Sequence, residues 1–427
     1  MLDITFIREH ADLVKKNVAA RHVSVDVDAL LKVDEERLAL LKEVETLRKE
    51  RNEVAGRMKG IGADERDALI QRGKEIKEML SVKEAVFTQI DQAWTALLLQ
   101  IPNMSHPSTP MGKDDHDNVE VRRFGEPASI PDAKDHLQLG EMHDLIDFER
   151  GAKVAGAKFY FLKGRLVILE QALIRFAIDQ CIKHGFTPMT TPDVARDTVL
   201  VGTGFNPRGP ESQIYSLENS DLSLIGTAEI TVGGYHMDEV IPEAELPRRY
   251  VALSHCYRTE AGTYGRESYG LYRVHQFSKV EMFVLATPEQ SEALHEELLR
   301  IEEDIWKQLE VPFRVVDICT GDLGGPAYRK YDLEAWMPGK SSDKKEALRG
   351  DWGEVTSTSN CTDYQARRLN TKVRRTSGET EFLHTLNGTA VSLARALVAI
   401  MENGQQEDGS IHIPKALVPY CGFETLT

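Results

Sequence analysis

The sequence predicts an α+β protein: an antiparallel sheet flanked by helices, with an N-terminal antiparallel coiled-coil helical hairpin. Three observations predict it. Between Asp26 and Ile101 apolar residues recur at alternating three- and four-residue spacings, interrupted at Gly60-Ile61-Gly62, as expected of two helices pairing along a seam. Residues 250–257 and 271–285 are runs of strand formers joined by a loop holding Gly262, Gly265 and Gly270. Strand patterns at 311–337 and 382–386 are interleaved with amphipathic stretches at 157–184, 287–309 and 389–402.

With 427 residues the chain can bury a large core and divide into two or three domains. We expect an N-terminal domain over 1–102, a linker over 103–131 rich in proline, serine and acids, and a main domain over 132–427. No apolar run approaches the roughly 20 residues of a membrane span, and the first ten residues lack the features of a leader. The five cysteines are scattered without a Cys-x-x-Cys pair, against a disulfide framework or a structural zinc site. A cytoplasmic protein is expected. The net charge of −16 has the wrong sign for coating nucleic acid, so any RNA must be held by local patches.

In chain order, a short strand at 3–6 and a helix at 7–17 precede the hairpin. Its first arm places Leu30, Val33, Leu40, Val44, Leu47, Val54 and Met58 on the seam, with Arg37 and Arg51 at the skipped positions. The second continues through Leu69, Gly73, Ile76, Leu80, Lys83, Phe87, Ile90, Trp94, Leu97 and Ile101, with Asp64 as N-cap. Each arm of about 33 residues would be roughly 50 Å long at ~1.5 Å per residue. By heptads alone such a hairpin serves dimerisation or partner docking.

The linker carries one strand at 119–123. Helix 157–184 buries Leu166, Leu169, Leu173, Phe176 and Ala177 and stops at Gly185. Thr227 is an N-cap or a ligand-facing hydroxyl before Ala228 and Glu229. Thr287-Pro288-Glu289-Gln290 opens a helix with a capping box. Residues 337–352 form a charged loop without an assigned role. Arg367, Arg368, Arg374 and Arg375 are the densest basic cluster, facing RNA or lying on a solvated strand edge. Asn387-Gly388 is expected to turn the chain into the helix at 389–402, where Arg395 sits oddly beside Val391 and Val398.

On the second strand Arg273, His275, Phe277 and Glu281 alternate onto one face, and Val274, Val280, Met282 and Val284 onto the other. With Arg258 and Glu260 ending the first strand, the charged face suits an anionic, aromatic ligand. A solvent-exposed sheet face accounts for the same pattern.

The run CYRTEAGTYGRESYGLYRVHQFSKVE resembles motif 2 of the class II aminoacyl-tRNA synthetases, and specifically that of the seryl-tRNA synthetase family. Arg258, Glu260, Arg273, His275, Phe277 and Glu281 match position by position. Helix, strand and Pro192 resemble motif 1, the dimer-forming element, and the segment around Arg395 resembles motif 3. The likeness covers essentially the whole chain.

The resemblance implies a class II sheet and a serine–tRNA ligase activity: serine and ATP give seryl-adenylate, and the seryl group passes to the terminal adenosine of tRNA(Ser), with tRNA(Sec) a further acceptor left open. Arg258 and Arg395 are implied as catalytic, and Thr227, Ala228, Glu229, Arg258, Glu281, Asn387 and Thr389 as serine-binding. For ATP it implies Arg258, Thr259, Glu260, Arg273, Val274, Phe277, Glu354, Val355, Thr356, Ser357 and Arg395, with Mg²⁺ on Glu354 and Ser357. The hairpin would grip the tRNA's long variable arm, and the protein would be a homodimer. The absence of a Cys-Glu-Cys set argues against a zinc-dependent variant. A ligase loading a carrier protein and a non-catalytic RNA-binding relative share the fold; the hairpin speaks against the first, and intact Arg258, Glu281, Glu354 and Arg395 against the second.

Overall fold

The computed structural model describes residues 1–58, 62–127, 130, 132–206, 213–261, 270–340 and 350–427, without the side chains of 63 and 64. Most of the glycine-rich loop and of the charged loop expected at 337–352 lie outside the described residues. The chain forms two compact units, Met1–Met104 and Ser105–Thr427. No helix among the described residues is long and apolar enough to cross a membrane.

In the first unit the strand expected at 3–6 is instead helix α1 (Ile4–Glu9), followed by α2 (Ala11–Ala20). Asp3 decides this, because its carboxylate accepts the Thr5 N–H at 2.7 Å and caps the helix. The hairpin is α3 (Val27–Arg57) and α4 (Ala63–Gln100). Asp26 caps the first arm through the Ala29 N–H, whereas α4 begins after Gly62, so Asp64 lies inside the helix and is not its cap. Leu30, Val44, Val54, Ile76 and Leu80 are buried on the seam, but Met58 falls beyond the end of α3 and is 40% exposed. Arg37 fills its seam position by laying its guanidinium 4.3 Å from the Trp94 ring while pairing with Asp91 at 2.6 Å.

The second unit is built on an eight-stranded sheet. Its elements are β1 (Val119–Phe124), α5 (Arg165–Lys183), β2 (Thr187–Thr190), α6 (Ala228–Tyr235), β3 (Arg248–Tyr257) and β4 (Gln276–Ala286). There follow α7 (Ser291–Gln308), β5 (Phe313–Asp317), β6 (Arg329–Met337), β7 (Asp351–Thr362), β8 (His384–Ser392) and α8 (Leu393–Gly404). Strand order is β1-β5-β6-β7-β8-β4-β3-β2, antiparallel except for the β2–β3 pair. The strand expected within the linker thus forms an edge of the main sheet. One sheet face packs on α5, α7 and α8 through Leu169, Phe176, Leu298, Ile305, Leu397 and Met401. The Thr287 capping box forms as expected, opening a 3₁₀ turn that leads into α7.

Three boundaries differ from expectation. The helix expected from 157 starts at Arg165, because Phe161–Leu162 pairs with Ile146–Asp147 and Gly164 turns the chain at φ 58°. The strand expected from 271 starts at Gln276, since Gly270–Tyr272 is a 3₁₀ turn. Asn387-Gly388 is not a turn: it lies in the middle of β8, flanked by β4 and β7, and α8 begins only at Leu393. Gly388 is required there by packing, since a Cβ would meet Glu302 Oε1 at 2.9 Å and Thr358 Oγ1 at 3.1 Å.

Candidate active site

The sheet face turned away from α5, α7 and α8 carries a cleft of about 470 Å³. Strand alternation populates it: Phe277, Lys279 and Glu281 on β4, Asn387 and Thr389 on β8, Ser357 and Ser359 on β7, and Lys330 on β6. Glu354 and Ser357 are three residues apart and would face opposite ways in a regular strand. A bulge prevents this. Leu333 pairs with Thr356 but Glu334 pairs with Glu354, so Val355 is the extra residue and both side chains reach the cleft face. Arg258 and Glu260 follow the end of β3, with Glu260 in the left-handed region at φ 51°. Helix α6 delivers Thr227 and Glu229, and α8 delivers Arg395.

One end of the cleft is a set of buried carboxylates and their donors. Glu229 Oε1 accepts from Gln365 Nε2 at 2.7 Å and Asn387 Nδ2 at 3.0 Å. Burial, with the nearby negative Glu281, pushes Glu229 up to about 7, although the Gln365 hydrogen bond opposes it. The Thr389 hydroxyl donates to Glu281 Oε2 at 3.2 Å. Thr227 caps α6 as expected, its Oγ1 accepting the Glu229 N–H at 3.3 Å, and it also lines the cleft.

The other end is aromatic and cationic. The Arg258 guanidinium lies 5.2 Å from the Phe277 ring, and its Nε donates to Gly226 O at 3.3 Å. Arg273 Nη1 donates to Glu260 at 2.9 Å. Arg395 Nη1 reaches Glu354 O at 3.0 Å and its carboxylate at 3.2 Å, and the guanidinium sits 4.7 Å from the Tyr272 ring. Burial disfavours the Glu354 anion, but Arg395, Lys330 and Arg258 outweigh it and hold this carboxyl low. The pocket therefore presents carboxylates to a cation at one end and guanidinium groups to anions at the other.

Not every expected residue lines this cleft. Ala228 is buried in the packing behind it, and the Thr259 N–H donates to Gln213 O. His275 is structural, its Nδ1 lying 2.9 Å from Arg258 O. Val274, Val355 and Thr356 lie on the wall. In the basic cluster, Arg375 pairs with Glu243, Glu289 and Glu381, Arg367 with Asp363, and Arg368 donates to Val201 O. Arg374 is exposed.

Residues 214–404 match the family model of the tRNA synthetase class II core domain (G, H, P, S and T), and residues 1–105 that of the seryl-tRNA synthetase N-terminal domain. The chain is 54% identical to a serine–tRNA ligase of Treponema denticola over 431 residues, covering 100% of each chain. The chain belongs to the seryl-tRNA synthetase family. Its structure is similar to that of the family member from Pyrococcus horikoshii complexed with ATP, with TM-score 0.89 and 41% identity over 100% of this chain and 99% of that one. A cytoplasmic serine–tRNA ligase from Naegleria fowleri in complex with AMP matches at TM-score 0.83 and 30% identity, again over 100% and 99%.

Set in this seryl-tRNA synthetase fold, the cleft also holds residues that sequence reasoning passed over: Lys279, Lys330, Cys361 and the segment Gly324–Ala327. Lys279 was legible, because it falls between Phe277 and Glu281 on the same alternating face. Gln365 was not, because only folding brings α6 beside its helix.

Proposed function

We propose that this cleft activates L-serine with ATP and then transfers the seryl group to tRNA(Ser). The juxtaposition of Glu229, Glu281 and Thr389 with Arg258 and Phe277 in one cleft carries this reading. The serine carboxylate would attack the α-phosphorus in line, forming the mixed anhydride and expelling pyrophosphate; the terminal adenosine of the tRNA then attacks the carbonyl and AMP leaves. No protein nucleophile is needed. The chain's task is to orient two anions and neutralise charge building on phosphate.

Arg258 would bridge the serine carboxylate and the α-phosphate, and Arg395 would leave Glu354 for the distal phosphates. Phe277 would stack on adenine beside Glu260, Arg273 and Val274, with the walls at Val355 and Thr356 closing the nucleotide end. Glu229 would pair with the serine ammonium, and Glu281 and Thr389 would bond its hydroxyl, with Thr227 and Asn387 beside them. Mg²⁺ would fit on Glu354 and Ser357: both are oxygen donors on one face, and the buried Asp332 carboxylate, paired with Lys330 at 3.1 Å, lies opposite Ser357 as a further oxygen donor. Bound there, Mg²⁺ would neutralise phosphate oxygens. The N-terminal hairpin would hold the tRNA, and two chains would form a dimer.

The test is amino-acid-dependent ATP–pyrophosphate exchange across the twenty amino acids without tRNA. Exchange with serine alone is expected. Exchange with glycine or alanine instead would favour a carrier-protein ligase, and none from a folded protein a non-catalytic relative.

A further inference from the structure

Lys279 has no part in the chemistry assigned so far, yet it lies on the cleft wall between Phe277 and Glu281. It is only 7% exposed, and its Nζ is 2.5 Å from Glu281 Oε2. The same oxygen accepts the Thr389 hydroxyl at 3.2 Å. Glu281 is itself 2% exposed, so Lys279 rather than water balances its charge. We propose that Lys279 is a specificity-determining residue: by fixing Glu281 Oε2 it holds the other carboxylate oxygen ready to accept a hydroxyl hydrogen from the amino acid. The proposal rests on the serine pocket assigned above.

An ionised carboxylate can only accept hydrogen bonds. With Lys279 and Thr389 both on Oε2, Glu281 retains acceptor capacity for a substrate hydroxyl. Serine supplies that donor; alanine supplies none and leaves a buried anion under-satisfied. Remove the ammonium and the Glu281 carboxylate loses the contact that fixes it, so its free oxygen is no longer held in place for a substrate hydroxyl. Discrimination against alanine then collapses through loss of serine, not gain of a new contact. A lysine acting on the reacting phosphate behaves differently, because its loss slows serine and alanine alike.

The experiment compares kcat/KM for serine and alanine in ATP–pyrophosphate exchange by the full-length protein and its Lys279→Met, Lys279→Gln and Lys279→Arg variants. A pocket that reads a hydroxyl is expected to prefer serine by roughly 10⁴-fold. Lys279→Met and Lys279→Gln should each lower that ratio by on the order of 100-fold, with alanine and the ATP KM little changed. Lys279→Arg should keep most of the preference. A parallel fall for both amino acids, with the ratio intact, overturns the proposal while leaving the pocket assignment standing; the Gln variant decides between these outcomes if the Met variant does not fold. Wild-type protein that shows no exchange with serine overturns both.

Discussion

If Glu229 pairs with the serine ammonium as proposed, serine binding should be sensitive to pH in the neutral range. The proposed role needs it as an anion, yet burial and Glu281 lift its carboxyl to about 7. The sign follows directly: the raised value means that protonation begins at neutrality, so lowering the pH removes the partner of the ammonium. With a midpoint near 7, about nine-tenths is ionised at pH 8 and about one-tenth at pH 6, so the serine KM should rise about tenfold between them. At pH 7 serine binding should release about half a proton, seen as a buffer-dependent enthalpy in titration calorimetry. Glu229→Gln retains the oxygen that accepts from Gln365 and Asn387 but cannot pair with a charge. Loss of one charged hydrogen bond, about 1.5–3 kcal/mol, should raise its KM on the order of 10–100-fold and flatten the pH profile. A wild-type KM that is constant from pH 6 to 8 without proton release, or a Gln variant with ordinary serine affinity, would refute the role given to Glu229.

Three more substitutions probe other parts of the molecule. Arg258→Ala should lower serine-dependent exchange at least ~100-fold, the usual loss when a charge-stabilising donor is removed, and retention of the activity would dismiss it from the reacting centre. Excising residues 43–84 preserves the Arg8–Asp34 and Arg37–Asp91 pairs at the base of the hairpin. It should leave exchange intact and abolish tRNA charging, and equal loss of both would contradict the division of labour. Gly388→Ala puts a methyl against Glu302 and Thr358 in a closely packed layer. It should cost about 1–3 kcal/mol in a denaturant titration, and an unchanged midpoint would mean that the layer yields freely.

What proved legible in the sequence was whatever neighbouring residues decide among themselves. The heptad spacing of the hairpin, the Thr287 capping box, the apolar face of α5 and the alternation of Phe277 with Glu281 are short-period signals. Asp3 shows the limit of such signals, because 3–6 has apolar and β-branched residues that suit a strand, and one capping hydrogen bond selects the helix. Asn387-Gly388 fails for a different reason. The dipeptide favours a turn locally, but strands on both sides claim its backbone hydrogen bonds, and the small residue is needed where Glu302 approaches.

The motif residues determined the family and the chemical types in the cleft, and the heptad spacing determined the two-helix arm. Only the tertiary structure decided how they face one another. The bulge at Val355 sets Glu354 beside Ser357, and the register of β4 against β8 sets Thr389 opposite Glu281. Burial then lifts Glu229 toward neutrality and leaves Glu281 to Lys279. Periodicity and caps depend on atoms a few residues apart, whereas register and desolvation depend on which distant segment lies alongside, and no single strand's sequence contains that.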